Sequence, residues 1–162
     1  MGAFDWSQQA AANATADPDV PARDGTSARD LPSLVRSLMA AQAALLADQG
    51  GAIRTGGLAN AYLARTASGV ARMGPGLALL VQADRGNSGS PTLNVDSLGA
   101  RPWRHFDGSV PQAGRIQAGS FHLVVATTLA GLGPSWVSDF GGISEGEAED
   151  IGITTALIFG GI

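Results

Sequence analysis

The chain has 162 residues, of which 44% are hydrophobic and 15% are charged, with a net charge of −4 and no cysteine. These values exclude a disordered chain, disulfides and thiolate metal sites, and they fit one compact domain with short appendages. All ten basic residues are arginines scattered along the sequence, whereas a nucleic-acid-binding protein carries a basic stripe. Charged residues make up about 25% of a typical soluble domain. The lower fraction in this chain predicts that contacts between subunits cover part of its surface.

No targeting or membrane segment is predicted. The first residues have neither a basic region nor an apolar core, so they do not resemble a signal peptide. No apolar stretch approaches the roughly 18 residues that cross a bilayer. We therefore expect a protein made in the cytoplasm that does not insert into a membrane.

Residues 1–30 are predicted to form an extended N-terminal arm, with a short helix over residues 7–14. Phe4 and Trp6 lie two residues apart, so an extended arm would point both rings to one side. Two interpretations fit this spacing equally well. The rings either insert into a neighbouring subunit and attach the chain to a particle, or they fold back on their own domain.

Residues 31–51 are predicted to form a helix. Ser27 and Asp30 before it have the spacing of a capping box, and Pro32 suits a first helical turn. Two consecutive glycines after residue 49 provide the stop.

Apolar residues along this helix recur at steps of three and four, which is the pattern of a heptad seam. The seam and its flanks comprise Leu31, Leu34, Val35, Leu38, Met39, Gln42 and Leu45. An ordinary amphipathic helix packed on its own domain has the same spacing. The seam is too short to be stable as an isolated helix, and its apolar face is wide enough for three helices. We therefore predict that these seven residues hold a homotrimer together.

Residues 52–137 are predicted to form a small β domain, because short apolar runs alternate with glycine- and proline-rich turns. The predicted strands are Ala59–Ala64, Leu77–Ala83, Pro91–Val95, Trp103–Phe106, Ser120–Thr127 and Ser135–Val137. The run FHLVVATT at residues 121–128 alternates poorly, which favours a strand buried on both faces. The predicted fold class is mainly β, a sandwich or jelly-roll-like module behind a short trimeric helical stem.

Residues 138–162 contain a weak internal repeat. Phe-Gly-Gly-Ile at residues 140–143 recurs at residues 159–162, with a looser copy at residues 150–153. The acidic stretch between them is predicted to be a solvated turn rather than a pair of catalytic carboxylates. Such apolar tags cannot form a domain by themselves, so we expect them to dock on the body or on a partner.

The sequence contains no recognisable catalytic or metal-binding motif. It has no phosphate loop, no nucleophile elbow and no dinucleotide fingerprint. His105 and His122 have no third ligand at a suitable spacing, so a zinc site is not predicted. Asp84, Asp96 and Asp107 lie in predicted turns where calcium would find oxygen ligands, but their spacing matches no known calcium loop.

Five short motifs occur in a characteristic order between residues 4 and 119. They are Phe4–Ser7 (FDWS), Ser37–Ala40 (SLMA), Gly51–Gly57 (GAIRTGG), Asn87–Ala100 (NSGSPTLNVDSLGA) and Ala113–Gly119 (AGRIQAG). In this order they resemble short phage tail-fibre-like proteins. The resemblance implies a trimeric virion fibre of a phage or gene-transfer particle, joined to the tail, baseplate or capsid through its N-terminal part.

The resemblance also implies a structural, non-enzymatic subunit without a cofactor, located in the virion and contacting other virion proteins. The main expectation is a short trimeric tail fibre or adaptor that takes part in host attachment. The alternative is a head spike or a module that binds a host surface glycan. For that alternative, Trp103 and Trp136, with Phe106 and Phe121, could form a sugar-stacking face. We favour the core for these rings, because a β domain with few aromatic residues needs most of them inside.

Overall fold

The computed structural model describes residue 3, residues 6–17 and residues 22–140. A 3-10 helix and one α-helix precede eight β-strands in this part of the chain. The 3-10 helix is Ala10–Ala14, α1 is Leu31–Gln49, and the strands are β1 (Ile53–Arg54), β2 (Gly56–Leu58), β3 (Ala61–Ala64), β4 (Ala78–Gln82), β5 (Thr92–Val95), β6 (Arg101–Arg104), β7 (Phe121–Leu129) and β8 (Gly133–Val137). The predicted fold class, mainly β with an N-terminal helix, is confirmed. The repeats predicted at residues 141–162 lie outside the described residues.

The ends of α1 follow two of the three predicted signals. Pro32 occupies the first turn, where a missing N–H costs no hydrogen bond, and Gly50 follows the last helical residue. The predicted capping box is wrong. Asp30 makes no side-chain cap bond, and the Ser27 hydroxyl accepts the amide of Arg29 at 3.3 Å instead.

The strands form one nearly closed sheet in the order β1-β4-β7-β8-β6-β5-β3-β2. The two end strands, β1 and β2, are the two halves of one segment in which only Thr55 lies between them. β1 pairs in parallel with β4, and β2 pairs antiparallel with β3. One short segment therefore hydrogen-bonds to both ends of the sheet, which gives the module a barrel-like form.

Thr55 fixes this closing segment. Its amide donates to the carbonyl of Gln82 at 2.9 Å, and its hydroxyl donates to the Asp84 carboxylate at 2.8 Å. The Asp84 amide returns a bond to the same hydroxyl at 2.9 Å. Desolvation opposes ionisation of Asp84, but hydrogen bonds from Arg85 and Thr55 outweigh it and lower the pKa of this carboxyl.

The inside of the sheet is a continuous apolar core. Its largest fully buried side chains are Trp103, Trp136, Tyr62, Leu79, Leu93, Ile116, Val81, Val95 and Val124. β3, β4 and β5 contribute alternate residues to this core.

A buried carboxylate connects α1 to the β module. Asp48, in the last turn of the helix, is fully buried. It accepts the amides of Ala67 at 2.6 Å and Ser68 at 3.1 Å, together with the Ser68 hydroxyl. Asp96 holds the same loop from the other side by accepting the amides of Thr66 and Val70. Two carboxylates thus replace the missing strand partners of this loop.

A buried asparagine organises the loops at another part of the module. The Asn87 side chain accepts the amide of Ile116 at 2.9 Å and donates to the carbonyls of Gln112 and Gly89. The Gly89 amide in turn donates to the side chain of Asn60 at 3.0 Å. These amide groups connect three loops that lack strand pairing of their own.

We expect Asp48→Ala to lower the free energy of unfolding by about 2 kcal/mol, because two amides and a hydroxyl lose their acceptor. Urea unfolding at fixed protein concentration measures this loss. Asp30→Ala is the matched control, since Asp30 lies at the other end of α1, is exposed and makes no side-chain cap bond. Equal losses for the two variants would show that the Asp48 contacts do not stabilise the fold.

Candidate functional site

One line of α1 faces the body of its own chain. Leu34, Ala41 and Leu45 are half-buried, and Asp48 on the same line is fully buried. The helix packs against β4. Two of the seven predicted oligomerisation residues, Leu34 and Leu45, are therefore partly covered by their own chain, and the role of all seven between copies stays a prediction.

The neighbouring line of α1 is exposed. The exposed fraction is 47% for Leu31, 51% for Val35, 38% for Leu38 and 63% for Met39. Gln42 is exposed on the same side. Leu46, which the prediction did not include among the oligomerisation residues, is 70% exposed. We call Leu31, Val35, Leu38, Met39, Gln42 and Leu46 the stem stripe. The described part of the chain leaves this stripe largely in contact with solvent.

The N-terminal arm folds back beside the stem stripe. The Trp6 indole N–H donates to the buried carboxylate of Asp17 at 3.0 Å. Trp6 and Leu38, with Asn13, Asp17 and Ala22, line a cavity of about 140 Å³. Trp6 therefore contacts its own arm and the helix in the single chain, and its role in attachment to a particle stays a prediction. Phe4, the other predicted attachment residue, lies outside the described residues.

The two candidate glycan-contact residues are core residues. Trp103 is 0% exposed and Trp136 is 1% exposed. The Trp103 indole N–H donates to the Ser138 hydroxyl at 2.8 Å, and its ring packs edge-on against Tyr62 and His122. Neither indole has a free face for a sugar, so the favoured core interpretation holds and the stacking interpretation does not apply to them.

Ser120 and His122 make a contact that resembles a nucleophile–base pair, since the Ser120 hydroxyl lies 2.7 Å from Nε2 of His122. However, this hydroxyl donates its only proton to the carbonyl of Gln117 at 2.6 Å. In that arrangement the hydroxyl accepts from His122 in the tautomer that carries its proton on Nε2, whereas a serine nucleophile donates to its base. The pair stabilises a turn and is not arranged for proton abstraction.

The aspartates considered as calcium ligands are used by the fold. Asp96 accepts loop amides and Asp84 is bonded to Thr55 and Arg85. Within residues 6–17 and 22–140, no three histidine, cysteine, aspartate or glutamate side chains are grouped as a metal site would require. In the same part of the chain, no helix is both long enough and apolar enough to span a membrane.

Comparison with known proteins identifies no family. No protein-family model matches the chain, and no curated protein is significantly similar to it. The resemblance to phage fibres therefore rests on the five short motifs alone, and it remains a prediction.

We expect the free energy of unfolding to fall as the pH is lowered from 7.5 to 5.5, in part because of His122. Desolvation lowers the pKa of His122 below its usual 6.5. Below pH 6.5 the unfolded chain therefore binds a proton at this histidine that the folded chain does not. The free energy of unfolding then falls by up to about 1.4 kcal/mol for each pH unit. Urea unfolding across this range, at fixed protein concentration, should show a smaller slope for His122→Gln. An identical slope would exclude His122 as a source of the acid sensitivity.

Proposed function

We propose that the chain is a non-enzymatic structural subunit of a phage-like particle. In this proposal it forms a short trimeric tail fibre or adaptor whose N-terminal part contacts other virion proteins. The observation that carries the proposal is the stem stripe, which stays exposed although the other line of the same helix is partly covered by the β module. An exposed apolar line of this length is typical of a surface that another protein covers.

Self-association explains this arrangement better than a ligand pocket does. The stem stripe is convex and runs along a helix, whereas small-molecule sites are concave. Gln42 lies within the stripe, and a single polar residue in a helical seam can set register and the number of strands. Three copies around one axis would bury the stripe and allow the three Gln42 side chains to bond to each other.

We expect Leu38→Asp to disperse the assembly, because three carboxylates would be buried around one axis at a cost of several kcal/mol. Sedimentation velocity at micromolar concentration measures the change from trimer to monomer. Ala40→Asp is the matched control, since Ala40 is exposed on the opposite side of α1. The proposal is contradicted by a wild-type chain that is already monomeric, or by an unchanged mass for Leu38→Asp.

The place of the chain in a particle requires a separate experiment. Electron micrographs of particles that lack this chain should show the loss of a fibre, an adaptor or a spike. Intact particles of normal appearance and infectivity would contradict a virion role, whatever the oligomeric state.

A host-glycan-binding role remains the second candidate, and it depends on Phe106, one of the four rings considered for a sugar-stacking face, rather than on the two tryptophans. Phe106 is 63% exposed and Val110 is 50% exposed, in the turn that follows β6. The backbone of Gly108 in this turn faces the Leu129 side chain at the end of β7. The start of β7 lies beside Gly51, directly after α1. The turn therefore lies at the opposite end of the nine-residue strand β7 from the C-terminal end of α1.

If this turn binds a glycan, Phe106→Ala should remove binding on a glycan array, because an exposed ring can pack against the CH groups of a sugar. Leu63→Ala is the control, since Leu63 is an exposed apolar residue on another strand. Absence of binding by the wild-type assembly would remove this candidate and leave the structural proposal intact.

A further inference from the structure

A second apolar surface lies on the outside of the sheet, on β4 and β7. Phe121 is 56% exposed and Leu123 is 55% exposed. Leu80 is paired with Leu123 across the two strands and is half-buried. We call Leu80, Phe121 and Leu123 the sheet patch. Ala78 and Val125, paired in the same register, continue the apolar surface along the strands.

The alternation of β7 is inverted at this patch. In a sheet with one solvated face, polar residues point outward and apolar residues point inward. Here the polar His122 is buried in the core, and its neighbours Phe121 and Leu123 point out. The sequence FHLVVATT predicts a strand covered on both faces, but in the described part of the chain only the inner face is covered. A further layer over the outer face would satisfy this pattern.

The sheet patch begins where the helix ends. A side chain at Gly51 would lie 3.1 Å from the Phe121 ring and 3.3 Å from a methyl group of Leu80. Gly51 has a φ of +85°, which glycine adopts without strain. The close approach of this glycine brings the end of α1 directly onto the patch. A partner that covers the last turn of the helix is therefore also close to Phe121.

The area of the stem stripe is too small to hold copies together alone. Its five apolar side chains are about half exposed, so they can remove only a few hundred Å² of apolar surface from water. A stable interface buries about 800 Å² on each partner. The sheet patch adds apolar surface that adjoins the helix and needs no rearrangement of the fold.

The charge of the chain is compatible with a second copy at the sheet patch. Every copy has a net charge of −4, and like charges placed opposite each other weaken an interface. The three side chains of the sheet patch carry no charge. Gln82, which is paired with Phe121, and the exposed Arg54, which is paired with Gln82, continue the same register row. Two acidic copies can therefore share the patch without bringing carboxylates together.

We infer that the sheet patch packs against a second copy of this chain, so that the assembly is held by the β modules as well as by the stem. This inference rests on the proposed function, since it assigns part of the same assembly interface. It places Phe121 and Leu123 between subunits and leaves Leu63, an equally apolar residue on the outside of β3, in solvent.

The lack of cysteine allows a direct test. In Leu123→Cys and Leu63→Cys the introduced thiol is unique, and the wild-type residues are 55% and 51% exposed in the single chain. In the full-length assembly we expect a maleimide to label Leu123→Cys about tenfold more slowly than Leu63→Cys, because only opened copies react. Labelling at equal rates at the two positions would overturn the inference.

Dispersal of the assembly identifies what covers the patch. In the Leu38→Asp background, labelling of Leu123→Cys should rise to the rate of Leu63→Cys. If the protection persists in the dispersed monomer, the cover is part of the same chain, and the inference is overturned in favour of a segment such as residues 141–162.

A second pair of variants separates this inference from the proposed function. Leu123→Asp should lose the assembled mass in sedimentation velocity, and Leu63→Asp should retain it, with circular dichroism showing that both remain folded. If Leu38→Asp disperses the assembly but Leu123→Asp does not, the stem proposal stands and the sheet patch is not part of the interface. If Leu123→Asp fails to fold, the labelling rates of the milder Leu123→Cys show whether the sheet patch lies between copies.

Discussion

The β module depends on one constraint, which is that Ile53–Leu58 must hydrogen-bond to both ends of the sheet. An open sheet exposes unpaired N–H and C=O groups at its edges and tends to aggregate through them. Here β1 pairs with β4 and β2 pairs with β3, so that the two potential edges are joined by a single residue, Thr55. The bonds of Thr55 to Gln82 and Asp84 hold this junction in place. Because this segment begins shortly after α1 ends, the closure of the sheet also fixes the position of the C-terminal end of the helix on the module.

The sequence alone predicted the secondary-structure elements that have a strong local pattern of apolar and turn residues. Six of the eight strands overlap predicted runs, because β-branched and apolar residues bounded by glycine or proline indicate strands. β6 starts and ends two residues earlier than predicted. β1 and β2 were missed, since two or three residues that include glycines carry no periodic signal. Their pairing is imposed by distant strands, which a single sequence does not show. The capping box was predicted wrongly for a local reason, because the Ser27 hydroxyl accepts the amide of Arg29, two residues later, instead of an amide of the first helical turn.

The candidate assembly surface was predictable in part. Heptad spacing correctly identified an apolar helix, but it could not separate the line that packs on β4, with Leu34 and Leu45, from the exposed line with Leu38. That separation depends on where the sheet lies relative to the helix. The sheet patch had a signal in the poor alternation of FHLVVATT, whose outward residues became identifiable only once His122 was placed in the core. The core was favoured for four aromatic rings. This is correct for Trp103 and Trp136 and wrong for Phe106 and Phe121, which are exposed.

The Asp48 contacts make the helix and the β module a single thermodynamic unit. The carboxylate is in the last turn of α1, and its hydrogen-bond donors are in the loop that holds Ala67 and Ser68. Fraying of that turn would break the hydrogen bonds of the loop amides to Asp48. Ordering of the turn by neighbouring helices would stabilise the same hydrogen bonds. In the proposed assembly, association along the stem would therefore be linked to the rigidity of a surface loop on the module. In a fibre, this linkage would allow mechanical load on the stem to reach the body of each subunit.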